Sequence, residues 1–266
     1  MRPVKRSYIG TVLVAIANPV IRRALIDTLR QNGADDVLDA TDWKALAELL
    51  AAKTVVLLVV DDTLSQRPTA ELIRKIRQGD LHAHPFPLII TLANQREEHQ
   101  LRALIDCGPD AIILTPISVA DLFSKIDLLA AGRKPFVITR DYVGPDRRKE
   151  PREGAGQPQI ITPPNPMARG VDPATFEKAL KAGQNSLKTA KMECSLGQLA
   201  WAMRSGNASD FRDLIPVVDR LVEAAASPAL KAAAAGLAGA LRAGDLPEIM
   251  DWCRKLLAQA GDAKSP

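Results

Sequence analysis

Cysteine is scarce in this chain, with Cys107, Cys194 and Cys253 the only three in 266 residues. They are too few and too scattered for a disulfide framework or a Cys-x-x-Cys metal site. Histidine is as rare, and His82, His84 and His99 all lie in the first half. His82-Ala-His84 has no cysteine or carboxylate at ligand spacing, so it is expected to be an exposed loop pair and not a metal site. No apolar run approaches the ~20 residues of a membrane span; the longest is Val55 to Val60. The opening MRPVKRSYIGTVLVAIANP has the basic start and apolar stretch of a signal peptide. The amphipathic RRALIDTLR follows without a small-residue cleavage site, so a buried first strand and a cytoplasmic protein are expected. Neither sign of charge dominates: 35 Lys and Arg against 31 Asp and Glu leave a net +4. That balance permits an acidic partner without requiring nucleic acid. There is no Gly-rich phosphate loop, Ser-His-Asp set or paired-carboxylate motif, so no enzyme is expected.

What remains is an ordinary globular composition, 47% hydrophobic and 25% charged, at a length that suggests two domains. Three textures follow one another. From about Gly10 to Gly132 the runs TVLVAIA, TVVLLVV, FPLIITLA and AIIL alternate with amphipathic stretches such as PVIRRALIDTLRQNG and SVADLFSKIDLLAAG. The runs are short and rich in β-branched residues, whereas the stretches repeat apolar residues at i, i+3, i+4 and i+7. A weaker strand, DDVLDA, fits after the first helix. Strict alternation with wholly apolar strands predicts a flavodoxin-like (βα)5 doubly wound parallel sheet over residues 1–133, with its functional edge at the C-terminal strand ends. Residues 134–170 are rich in Pro, Gly and Arg and are expected to be a linker; PFVIT is allowed an edge strand there, but GPDRRKEPREG is not. Residues 171–266 carry no strand signal. Helices are expected at about Pro173–Lys181, Leu187–Arg204, Ser209–Ala226, Pro228–Arg242 and Leu246–Ala260, forming an all-α helical bundle. Phe211, Leu214, Val218, Leu221 and Val222 make a stripe expected to pack in its core, and Trp201 and Trp252 are expected to be core or interface anchors.

Four phrases in order, VLVAIANPVIRRALIDTLRQNG, VVLLVVDD with AELIRKIR, FPLIITLAN and CGPDAIILTPIS, resemble the receiver domain of bacterial two-component response regulators. The resemblance implies a phosphoacceptor aspartate on the third strand and two acids after the first strand that hold Mg²⁺ with it. It also implies a Thr or Ser on the fourth strand and a Lys on the fifth. The acceptor position is Asp61, with Asp62 beside it. The acidic pair is replaced by Ile16 and Ala17, the lysine by Thr115 before Pro116, and the fourth-strand hydroxyl by Leu92, with Thr91 one residue away. A one-residue slip would bring in Asn18 or Thr91 but restores neither the lysine nor two acids. The aromatic position of the fifth strand falls at about Ile112. The resemblance further implies a cis Thr115-Pro116 bond. A degenerate receiver that works as a protein–protein interaction module, without cofactor, is therefore expected. The alternative is a phosphorylatable response regulator, with Asp61 as acceptor and Mg²⁺ as cofactor.

The phrase DYVGPDRRKEPR resembles an extension found after some receivers. Tyr142, Arg147, Arg148 and Arg152 are its candidate partner-binding residues, since two arginines beside a Gly-Pro turn can grip carboxylates in bidentate pairs. The same arginines match the RRxxxR opening of cyclic-di-GMP-binding PilZ domains, but the β-barrel that must follow is missing, and helices follow instead. Histidine-phosphotransfer chemistry is excluded from the helical part, which has no histidine. The expected partners are signalling proteins, a histidine kinase or another regulator, with a second copy of the chain allowed. Nucleic acid is not expected, because the basic residues are interleaved with acidic ones.

Overall fold

A computed structural model describes residues 9–93, 98–139, 141–148, 158–205, 214–225 and 227–262. The chain divides into two compact units. The first comprises Met1–Val137, Asp141–Pro151 and Ile160–Asn185, and the second Ile138–Arg140, Arg152–Gln159 and Ser186–Pro266.

In the first unit the elements run β1 (Thr11–Ala15), α1 (Pro19–Gln31), β2 (Val37–Asp39), α2 (Trp43–Ala52), β3 (Val55–Asp61), β4 (Thr63–Leu64), β5 (Arg67–Pro68) and α3 (Ala70–Gln78). They continue with β6 (Leu88–Ala93), α4 (Glu98–Ile105), β7 (Ala111–Leu114) and α5 (Val119–Ala131). The sheet order β2-β1-β3-β6-β7, with all pairs parallel, is the flavodoxin-like arrangement expected. Alternation splits each strand between two cores, which is why the runs are apolar throughout. Val12, Val14, Leu57, Val59, Leu88 and Ile90 share one core with Leu25, Leu29 and Ile126. Leu13, Leu58, Val60 and Ile89 share the other with Leu46, Leu50, Leu72 and Ile76. Helix starts are capped by side chains: Asn18, Asp42 and Ser118 accept backbone N–H groups of Val20, Ala45 and Asp121. The short antiparallel β4–β5 hairpin was not expected from the sequence; two residues per strand leave no period to read.

The stretch expected to be a linker contains β8 (Phe136–Ile138), β9 (Val143–Pro145) and β10 (Gln159–Ile161), in a sheet of order β10-β8-β9. Pairing by Val143–Pro145 corrects the expectation that the Gly-Pro segment could not join a sheet. Gly144 permits it, since a Cβ there would lie 2.8 Å from the Cα of Gly108. Further along, Asn165 donates to the Leu129 carbonyl at 2.8 Å and Met167 is buried in the α1–α5 core.

A single helix, α6 (Pro173–Ser205), replaces the two expected over this stretch. Gly183 is a packing position and not a break: its missing Cβ would lie 2.9 Å from Pro164 Cδ and 3.1 Å from the Phe86 ring. In the second unit α7 (Ile215–Ala224), α8 (Pro228–Ala243) and α9 (Leu246–Asp262) join the end of α6. They bury Leu199, Val218, Leu237, Cys253 and Leu256 in one core. Leu214, Val218 and Leu221 of the expected stripe are in that core, while Phe211 lies outside the described residues. The Trp252 ring lies 2.6 Å from where a Cβ on Gly236 would be. Trp201 is 57% exposed and so is no core anchor. No helix among the described residues is long and apolar enough to cross a membrane.

Candidate functional site

Doubly wound sheets collect functional groups at the C-terminal ends of their strands, and β3 ends there in Asp61. Its Oδ2 accepts the Ala17 N–H at 2.7 Å, and its carbonyl accepts the Thr69 hydroxyl at 2.7 Å. Burial raises the Asp61 carboxyl above its ordinary value, the Ala17 N–H opposes that, and Asp62 adds to it. Asp62 follows on the opposite side of the strand and is buried.

The remaining positions of the resemblance hold no charge. Ile16 is buried in the α1–α5 core and the Ala17 side chain is a methyl group. Asn18 is committed as the cap of α1, accepting from Val20 and Ile21 N–H at 2.9 and 3.2 Å. Leu92 is the register partner of Asp61 on β6. Thr91 belongs to the other face, fully buried, its hydroxyl without a partner among the described residues. Thr115 donates its N–H to the Ala93 carbonyl at 2.8 Å and points its hydroxyl at the same oxygen at 3.3 Å. The Thr115-Pro116 bond is cis. Ile112, at the aromatic position, is half-buried in β7. Mg²⁺ requires several hard oxygen ligands in near-octahedral geometry. Here Asp61 brings one carboxylate, one oxygen of it engaged by an amide; Ile16, Ala17 and Leu92 bring hydrocarbon, Asn18 is committed as a cap, and Asp62 lies on the opposite side of the strand, a set that does not fit the ion. At these strand ends Val20 is 74% and Leu114 50% exposed.

The candidate partner-binding residues turn inward. Tyr142 is half-buried, and its hydroxyl donates to the Pro145 carbonyl at 2.9 Å. Arg147 is half-buried and donates to the Pro109 carbonyl at 2.6 Å. Arg148 is exposed and forks onto Asp146 at 3.0 and 2.9 Å, a pair that holds Asp146 down at about 2. Arg152 lies outside the described residues. The Gly-Pro arginines that are described thus serve the chain's own fold.

At the other end of the sheet is a cluster the sequence reading missed. Asp110, just before β7, takes Arg77 at 2.7 Å and Arg133 at 2.8 Å, with side-chain exposures of 1% for Asp110, 1% for Arg77 and 3% for Arg133. Both guanidinium groups lie over the Phe136 ring, 5.0 and 4.8 Å from its centroid. Arg77 also donates to the carbonyls of Gly108, Pro85 and Pro87, and Arg133 to those of Phe86, Pro87 and Pro164. Burial alone would raise Asp110; Arg133 and Arg77 outweigh it and hold the carboxyl below its ordinary value. Burial pulls Arg77 down to about 10, leaving it charged at neutral pH. A signal existed: in AELIRKIRQ, Arg77 falls four residues after Ile73, on the apolar stripe of α3.

The histidine pair is also corrected, since His82 and His84 are buried and not exposed. His82 Nδ1 lies 2.6 Å from the Leu50 carbonyl, and His84 Nδ1 accepts the Phe86 N–H at 3.1 Å. Burial, with His82 close by, pushes His84 down to about 3. Among the described residues no group of three His, Cys, Asp or Glu is placed to hold a metal ion.

Strand order and crossovers define the first unit as a flavodoxin-like fold. Solved response regulators match it over about 45% of the chain. NtrX from Brucella abortus, crystallised with ADP, is similar at 16% identity over 45% of this chain and 26% of its own, TM-score 0.39. This chain thus spans about a quarter of that one. A Burkholderia pseudomallei response regulator bearing a phosphorylated aspartic acid and a calcium ion is similar at 21% identity over 44% and 71%, TM-score 0.38. A Pseudomonas putida receiver protein is similar at 23% identity over 46% and 98%, TM-score 0.41. These likenesses are of fold. No family model and no curated protein matches the chain.

Proposed function

We propose that this chain is a signalling adaptor of a two-component-type pathway. In this reading its receiver-like unit binds a protein partner in the cytoplasm without phosphorylation, metal or catalysis. The observation that supports it most is the surroundings of Asp61. The Ala17 amide engages one of the two carboxylate oxygens, Leu92 lies abreast, and Thr115 stands where the resemblance implies a lysine. A transferred phosphoryl group would find neither metal nor ammonium to offset its charge, and phosphoryl transfer rests on that neutralisation. Val20 and Leu114, apolar and exposed at the strand ends, suit a protein surface better than an anion. The partners expected are a histidine kinase, another regulator, or a second copy of the chain.

The test is to add beryllofluoride or acetyl phosphate with low-millimolar Mg²⁺ and record amide shifts at the strand ends, with Asp61→Ala as control. The expected result is no saturable, Asp61-dependent change. Saturable change abolished by Asp61→Ala would replace this reading with that of a phosphorylatable regulator.

A further inference from the structure

The peptide between Ile16 and Ala17 is bonded at both ends to charged side chains. On its carbonyl side Arg22 donates to the Ile16 oxygen at 2.7 Å. On its amide side the Ala17 N–H donates to Asp61 Oδ2 at 2.7 Å. Arg22 is in turn held by Asp39, at the end of β2, through Nε at 3.0 Å. Four groups therefore form one chain, Asp39–Arg22–peptide–Asp61, across the ends of β2, β1 and β3. The Arg22 side chain is only 12% exposed, so solvent competes weakly for it. In a trans peptide the C=O and N–H point in opposite directions, so a guanidinium on the oxygen polarises the group toward a carboxylate on the nitrogen. Bonds linked in this way strengthen one another. The positions where the family resemblance requires acids thus contribute their backbone.

We propose that Arg22 is a positioning residue that locks the Asp61 edge. Through the Ile16–Ala17 peptide it holds the β1–α1 turn and the Asp61 carboxylate in one arrangement, with no bound ion. The lock is geometric and stands whether or not the unit works as an adaptor; it adds to that reading that the edge offered to a partner is preformed.

Arg22 and Asp61 share no direct hydrogen bond, so independent structural roles would make their substitutions additive. The experiment is a double-mutant cycle on the full chain with Arg22→Gln and Asp61→Asn, followed by urea unfolding. Ala17 amide exchange and chemical shift serve as the second measurement. The lock predicts that Arg22→Gln lowers the folding constant at least about twofold more in the native background than in the Asp61→Asn background. It also predicts that Arg22→Gln alone speeds Ala17 exchange and moves its amide proton upfield. Arg22→Lys, which keeps charge but loses the fork spanning Asp39 and the Ile16 carbonyl, should fall between Arg22→Gln and the native chain; it also carries the exchange measurement if Arg22→Gln does not fold. Additive effects, or an Ala17 amide indifferent to both Arg22 variants, would overturn the lock. Neither result bears on the beryllofluoride experiment.

Discussion

The two ends of the same five-stranded sheet use charge in opposite ways. At the C-terminal ends, where this fold places its chemistry, Asp61 stands among Ile16, Ala17, Leu92 and Thr115 and is tied to a backbone amide, while Asp39 pairs with a partly exposed Arg22 at the end of β2. At the N-terminal ends, Asp110 and two arginines are buried together with several carbonyls and an aromatic face. The comparison teaches that a strongly perturbed, buried ionic cluster need not mark a site of chemistry. Here it holds Arg133 and the Phe136 ring against the base of the sheet.

The sharpest way to break this contrast is Asp110→Ala. It would strand two guanidinium groups in the interior, and removing one partner from a buried ionic network costs about 3–5 kcal/mol. Urea unfolding should show a loss of that order. A loss below about 1 kcal/mol would mean that the carbonyls alone satisfy the arginines.

Gly144→Ala probes the same end from the β9 side. Its Cβ would be 2.7 Å from the Tyr142 hydroxyl oxygen and 2.8 Å from the Gly108 Cα, an overpacking expected to cost about 1–3 kcal/mol. Unchanged stability would show that β9 can move away from Gly108 freely.

A pH series separates the base from the Asp61 edge. His84 is neutral when folded, its value held near 3 against an ordinary 6.5. Between those limits the unfolded chain binds the extra proton, so stability is full above about 6.5 and falls as the pH drops toward 3. The slope is about 1.4 kcal/mol per pH unit once the unfolded histidine is protonated. Asp61, raised by burial, works in the reverse sense: its folded carboxyl takes up a proton before the unfolded one, so it opposes the loss. Denaturant midpoints from pH 7 to pH 4 should therefore fall less steeply in His84→Gln than in the native chain. Parallel curves would remove His84 from the account.

Smallest of all is Arg148→Ala, which removes an exposed pair with Asp146. Thermal unfolding should not change measurably, because solvent screens such pairs. A clear loss would mean that Arg148 shares the inward role of Arg147.

The parts of the fold legible in the sequence were those with enough residues to show a period. Four apolar runs, a weaker strand and the amphipathic stretches between them carry the alternation of strand and helix. Strands of two or three residues such as β4, β5 and β9 carry no period, and the continuity of α6 through Gly183 could not be read because its packing partners, Pro164 and Phe86, lie elsewhere in the chain. At the site, Asp61 and the losses at Ile16, Ala17, Leu92 and Thr115 could be read by position. Arg22 could not, since its role depends on a peptide carbonyl that any residue possesses.

The sequence by itself determined the alternation of strand and helix, and with it a parallel sheet, because burial on both faces demands continuous apolar strands flanked by one-sided helices. It also determined that Ile16, Ala17 and Thr115 stand where the resemblance implies two acids and a lysine, since side-chain chemistry is written in the residue type. Only the tertiary structure decided that Arg77, Asp110 and Arg133 meet, that His84 is buried, and that the Gly-Pro segment joins the fold. Each of those outcomes depends on groups brought together from distant parts of the chain, and an arginine or histidine reads the same in sequence whether water or protein surrounds it.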